Sequence, residues 1–140
     1  MAVMRGLLRL VVVVAGVLAV VIGGGGTAAA EPTLQVSVDK ARLAAGGMQV
    51  VLSGEYVCGP FAEGDGVVDL TVTQGGTTGY GYVYPSACDG AAQPWSAVVD
   101  SVNTPFVAGR VRVVGGGYVC DRVTGACAFG SFGPTSVRVR

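Results

Sequence analysis

Few residues in this chain have the types and spacing that chemistry needs. Ser37-Val38-Asp39-Lys40 sets a lysine three positions after a serine, the Ser-x-x-Lys spacing in which an amine one helical turn away activates a hydroxyl nucleophile. Here it closes an alternating apolar run, and its usual companions, Ser-Asp-Asn and Lys-Thr-Gly, are missing, so it reads as a strand end entering a turn. Gly130-Ser131-Phe132-Gly133 resembles a nucleophile elbow, but Phe129 occupies the position where Gly-x-Ser-x-Gly requires glycine. Glu63, Asp65 and Asp69 offer oxygen to a hard cation, yet their spacing matches no calcium loop and reads as a solvated turn. The chain has no histidine. That removes the commonest general base at neutral pH, the Ser-His and Cys-His nucleophiles, and the usual zinc and copper ligand. No catalytic residue, metal site or cofactor is expected, and the chain reads as a non-enzyme.

Three aromatic residues are more suggestive. Tyr80, Tyr82 and Tyr84 stand at i, i+2 and i+4, one face of a strand. Three phenol rings in a row make a platform for a sugar or a flat aromatic ligand. They serve equally to fill a core or a sheet edge with hydroxyls reaching water, the simpler reading. The opposite phase carries Gly79, Gly81 and Val83, where something can approach the backbone closely. Arg110 and Arg112 alternate, as do Arg138 and Arg140. On neighbouring strands the four would form a positive stripe, most simply charge that keeps a sheet face soluble and blunts edge pairing.

The four cysteines allow three pairings. Cys120 and Cys127 flank a short segment, Asp121 to Ala126. If that segment is a hairpin tip, the two face each other within disulfide reach, leaving Cys58 to pair with Cys88. A bridged tip would preorganise Arg122.

These groups need a scaffold, and the first 30 residues are not read as part of it. Arg5 and Arg9 precede the apolar run Leu10 to Ile22, Gly23 to Gly26 breaks any helix, and Ala28-Ala29-Ala30 offers a signal-peptidase site. A cleaved signal peptide over 1–30 and one domain over 31–140 are expected, secreted and oxidised. Seven basic residues then face nine acidic ones, a net charge near −2. That overall balance gives no basic field for nucleic acid or an anionic membrane, and no later apolar stretch is long enough to span a bilayer.

Val, Thr, Tyr and Gly abound after position 30, and no helical periodicity appears; Ala41 to Ala45 is cut to a turn by Gly46-Gly47. Alternation marks about seven strands: Leu34 to Val38, Met48 to Cys58, Val68 to Val72, Tyr80 to Tyr84, Trp95 to Val99, Val107 to Val113 resuming at Tyr118 after a Gly115-Gly116-Gly117 break, and Val137 to Val139, with Ala128-Phe129 pairing back on the sixth. Trp95 is expected in the core. The fold class is all-β, an antiparallel two-sheet immunoglobulin-like sandwich with two disulfides. A small closed barrel is the rival, and periodicity does not separate them.

The succession Val50-x-Leu52-x-Gly54-x-Tyr56-x-Cys58, Val72-x-Gln74, Cys88-Asp89-Gly90, Trp95 and Phe106-x-x-Gly109 resembles small secreted immunoglobulin-like domains of actinobacteria with no assigned function. Cys120, Cys127 and Phe129-Gly130 are more distantly similar to the neocarzinostatin apoproteins, which carry an enediyne chromophore. Those have a short first disulfide loop, whereas Cys58 and Cys88 lie thirty positions apart here, so the chromophore cleft does not carry over. Neither resemblance transfers a functional residue. The chain itself reads as a secreted binding or interaction module for an extracellular protein, glycan or small aromatic ligand, with Tyr80, Tyr82 and Tyr84 as its candidate site by their spacing. The alternative is a secreted protease inhibitor presenting Arg122 on the Cys120–Cys127 loop. N-terminal sequencing of protein recovered from culture medium is expected to begin at Glu31; recovery of the intact leader would contradict the export reading.

Overall fold

A computed structural model describes residues 31–140; the expected leader lies outside the described residues. The chain forms β1 (Thr33–Ala44), one 3-10 turn (Ala45–Gly47), β2 (Gln49–Gly59), β3 (Gly64–Gln74), β4 (Thr77–Val83), β5 (Gln93–Ser101), β6 (Gly109–Asp121) and β7 (Cys127–Val139). Hydrogen-bonded neighbours run β1-β2-β5-β4-β3-β6-β7, and the sheet closes into a seven-stranded barrel. The all-β class is as expected, but the two-sheet antiparallel sandwich is not clearly present. The ring is closed, and β1 pairs with β7 in parallel. Alternation says that each strand has an inner and an outer face. It does not say whether inner faces meet across a gap or around a ring. Pairing at the outermost strands decides that.

The seal is uneven. β4 and β5 pair only through Gly79↔Ser101 and Tyr80↔Asp100, and β1 and β7 only through Ala41↔Val139. The second seam is reinforced by the Leu43 amide, which donates to the Arg140 carbonyl at 3.0 Å. The long ladders lie between these seams.

Local expectations shift in five places. β1 continues through Ala44, where a turn was expected from Ala41, because β2 gives those residues partners from Leu52 to Gln49. Tyr84 lies just past β4, and β6 starts at Gly109 rather than Val107. Ala128-Phe129 and Val137 to Val139 belong to one strand. Gly115-Gly116-Gly117 does not interrupt β6; it pairs with Leu70, Asp69 and Val68 of β3 and with Phe132, Ser131 and Gly130 of β7. A methyl on Gly117 would run into the Val67 carbonyl oxygen, so glycine lets β3 and β6 approach where a larger residue would push them apart.

The inward phase matches the alternation closely: Val50, Leu52, Tyr56 and Cys58 on β2, Val68, Leu70 and Val72 on β3, Trp95, Ala97 and Val99 on β5, and Val111, Val113 and Val119 on β6 are buried. Trp95 sits opposite Gly54, and its indole N–H donates to the Ser37 carbonyl at 3.1 Å. Phe106, from the β5–β6 loop, is the largest fully buried side chain. Its amide donates to the Gly47 carbonyl at 2.8 Å, closing one end of the barrel. The other end carries two cystines, Cys58–Cys88 and Cys120–Cys127. The first spans 30 positions, a loop closure that stabilises by about 3.5 kcal/mol on chain-entropy grounds.

Gly117→Ala is expected to cost about 1–3 kcal/mol through overpacking. Gly76→Ala, in a turn with nothing within 4 Å of the added methyl, should leave stability nearly unchanged. Denaturant midpoints of the two variants check this, and equal midpoints would contradict it.

Candidate functional site

The β4 pleat turns its tyrosines outward. Its inner positions are Gly79, Gly81 and Val83, all buried. A methyl on Gly79 would press on Val99 and on the Phe106 ring, and one on Gly81 on Val99. The close approach those glycines allow is therefore made by the protein's own core. Tyr80, Tyr82 and Tyr84 face solvent with 48%, 53% and 70% of their surface exposed. The Tyr82 and Tyr84 rings lie 6.4 Å apart, inclined by 29°.

Strand register extends this face beyond the three residues read from the sequence. Tyr82 stands opposite Asp69 of β3, Asp69 opposite Gly116 of β6, and Gly116 opposite Ser131 of β7. One step along, Val67 stands opposite Tyr118, and Tyr118 opposite Phe129. Tyr118 and Phe129 are exposed, their rings 6.4 Å apart. The outer surface of β4-β3-β6-β7 thus carries aromatic rings on both flanks of a strip that has no side chain at Gly116 and a carboxylate and a hydroxyl beside it. Tyr118 and Phe129 were missed because each is a lone aromatic among polar or small residues. Their signal was phase: each alternates with a buried neighbour, Val119 and Ala128.

Arg122 is exposed, but it is engaged. Its Nε and Nη2 donate to Asp65 Oδ2 at 3.1 and 2.8 Å, and that hydrogen bonding holds the guanidinium even more firmly charged. The tip it stands on is organised by the preceding residue. Asp121 is buried, accepting from the amides of Val123 (3.0 Å), Glu63 (3.3 Å) and Ala62 (3.4 Å) and from the Thr124 hydroxyl (3.2 Å). One carboxylate ties the bridged tip to the β2–β3 loop.

The remaining candidates are dispersed. Ser37 Oγ donates to the Glu55 carbonyl at 3.3 Å. Asp65 is paired with Arg122 and Asp69 lies on the aromatic face, and no cluster of metal-ligating side chains occurs among the described residues. Arg110 and Arg138 stand directly opposite each other on β6 and β7, so the stripe expected from alternation is assembled. No helix among the described residues is long and apolar enough to cross a membrane. The chain matches no protein-family model, no characterised protein and no solved structure.

The amide hydrogen bonds to Asp121, Val123 first, hold its carboxyl below the ordinary aspartate value of 3.8 against the opposing effect of burial. The unfolded chain therefore binds this proton more readily than the folded one. The stability that Asp121 contributes is complete above about pH 4 and is lost as pH falls through the lower folded value. Melting temperatures measured from pH 7 to pH 2 are expected to fall more steeply at the acid end in the parent than in Asp121→Asn. Parallel curves would contradict this role.

Proposed function

We propose that this is a secreted, non-enzymatic binding module that takes a glycan on the outer face of β4-β3-β6-β7. The observation that carries this reading is the exposure of Tyr80 and Tyr82 on the outer face of β4 and of Tyr84 just past its end. Burying an aromatic ring's apolar face is favourable, and a protein that leaves three in a row in solvent forgoes that gain. A sugar ring has an apolar face to lay on a phenol and hydroxyls at its rim. Asp69 and Thr71 stand across from Tyr82 and Tyr80, and Ser131 lies further along the same face opposite Gly116, to meet those hydroxyls. The tyrosines are not walled in. A small flat ligand would be covered on one side only, whereas a polymer spanning several rings gains contact with each.

Two disulfides in a small domain support an extracellular setting. The immunoglobulin-like reading draws on the uneven seal of the barrel. Dividing the ring at its two thin seams leaves a β1-β2-β5 layer facing a β4-β3-β6-β7 layer. The inhibitor reading has a bridged tip in its favour. Against it, a protease would have to draw Arg122 out of its pair with Asp65 before the side chain could enter a specificity pocket.

Affinity electrophoresis against a panel of soluble polysaccharides is expected to show retardation that Tyr82→Ala weakens about tenfold, the loss of roughly 1.4 kcal/mol. Because Tyr82 is exposed, its melting temperature should not change. Retardation unaffected by Tyr80→Ala, Tyr82→Ala and Tyr84→Ala together would overturn the assignment, as would no retardation by any polysaccharide alongside tight, Arg122-dependent trypsin inhibition.

A further inference from the structure

Six of the seven cationic side chains of the described residues gather along three adjacent strands: Arg110 and Arg112 on β6, Arg138 on β7 with Arg140 just past its end, and Lys40 and Arg42 on β1. The register is specific. Arg110 is opposite Arg138, and the parallel pairing of Ala41 with Val139 brings Lys40 and Arg42 alongside Arg138 and Arg140. Lys40, Arg42, Arg138 and Arg140 line a groove of about 650 Å³ whose far wall carries Val51, Ser53 and Ser96. Lys40 is opposite Ser53, and Ser53 opposite Ser96, so the row of cations continues into a row of hydroxyls.

This arrangement is unfavourable for the unliganded fold. Like charges directly across a sheet repel. The described chain has nine acidic residues, more than enough to interleave, yet Asp39 alone lines the groove. Among the described residues the one ion pair is Arg122–Asp65, remote from this face; none of the six cations is ion-paired with a carboxylate. Charge placed only for solubility does not need to be concentrated on one seam of a molecule whose net charge has the opposite sign.

We infer that this seam binds a phosphodiester-linked polyol chain. Five of the six cations are arginines, whose planar guanidinium matches a phosphate with two parallel N–H donors. Rows spaced by one strand, about 4.8 Å, present cations in succession rather than at one point, which suits repeated phosphates. Arg110 and Arg112 carry the field beyond the groove, so the ligand is longer than the groove. Ser53 and Ser96 supply bonds to polyol hydroxyls. No aromatic ring lines the groove, so nothing there stacks a nucleobase, and nucleic acid is disfavoured on that ground. This site is separate from the tyrosine face and stands if the glycan assignment fails.

The test is fluorescence anisotropy with a labelled glycerol-phosphate oligomer, against labelled single-stranded oligothymidylate and against phosphatidylglycerol vesicles. The oligomer is expected to bind at 50 mM salt with log K falling against log salt at a slope of about −3, the value for four neutralised phosphates. Arg138→Ala with Arg140→Ala should weaken binding by at least tenfold and halve the slope. Removing like-charge neighbours should leave the melting temperature unchanged or raise it, so the doubly substituted protein remains folded for the measurement. Tyr82→Ala should bind the oligomer as the parent does. The inference is overturned if the oligomer does not bind, if the arginine substitutions leave binding and slope unchanged, or if oligothymidylate or vesicles bind more tightly than the oligomer.

Discussion

Phe106 and Val99 pack against β4 where its inward positions are Gly79 and Gly81, and the rest of the molecule's outer character depends on that contact. A strand has two faces. With the inner face closed to any side chain beyond hydrogen at those two positions, the aromatic residues that alternate with them, Tyr80 and Tyr82, stand outside. The same contact holds the β5–β6 loop, because Phe106 is donated by that loop and its amide is bonded to Gly47. The Gln74 side chain, bonded to both N–H and carbonyl of Val107 at 2.8 Å, and the 2.8 Å bond between Thr104 and Asn103 keep the loop in place. The barrel end is thus plugged by its own chain, and the tyrosines are displayed as a consequence.

The opposite end is organised by covalent and ionic means instead. Cys58–Cys88 and Cys120–Cys127 bracket it, and Asp121 fills the space between the bridged tip and the β2–β3 loop with amide hydrogen bonds. No buried side-chain polar atom among the described residues lacks a partner. A buried carboxylate with four donors is costly to place and costly to disturb, so it holds one arrangement of the tip. Anchoring at both ends leaves the two outer faces, one aromatic and one cationic, on a frame held by disulfides and hydrogen bonds.

Much of this frame was readable residue by residue. The buried sets on β2, β3 and β5 follow the alternation, Trp95 is in the core, and the cystines follow from the hairpin tip. The aromatic face was half legible. Tyr80, Tyr82 and Tyr84 announce themselves by spacing, but Tyr118 and Phe129 become their neighbours only through register across β3 and β6. The cationic seam was legible as two alternating arginine pairs. Lys40 and Arg42, on a strand some seventy positions earlier, join them through one parallel pairing that no local pattern encodes.

Sequence by itself determined the all-β class and the phase of most strands and favoured the cysteine pairing that the structure shows, because each rests on local periodicity or short spacing. Tertiary structure alone decided that the sheet closes, that β6 runs unbroken through Gly115-Gly116-Gly117, and that six cations gather on a chain with an excess of acids. Those outcomes depend on which strand edges meet, a matter of long-range backbone pairing and of how closely two chains can pass, and neither is written in the side chains of any single segment.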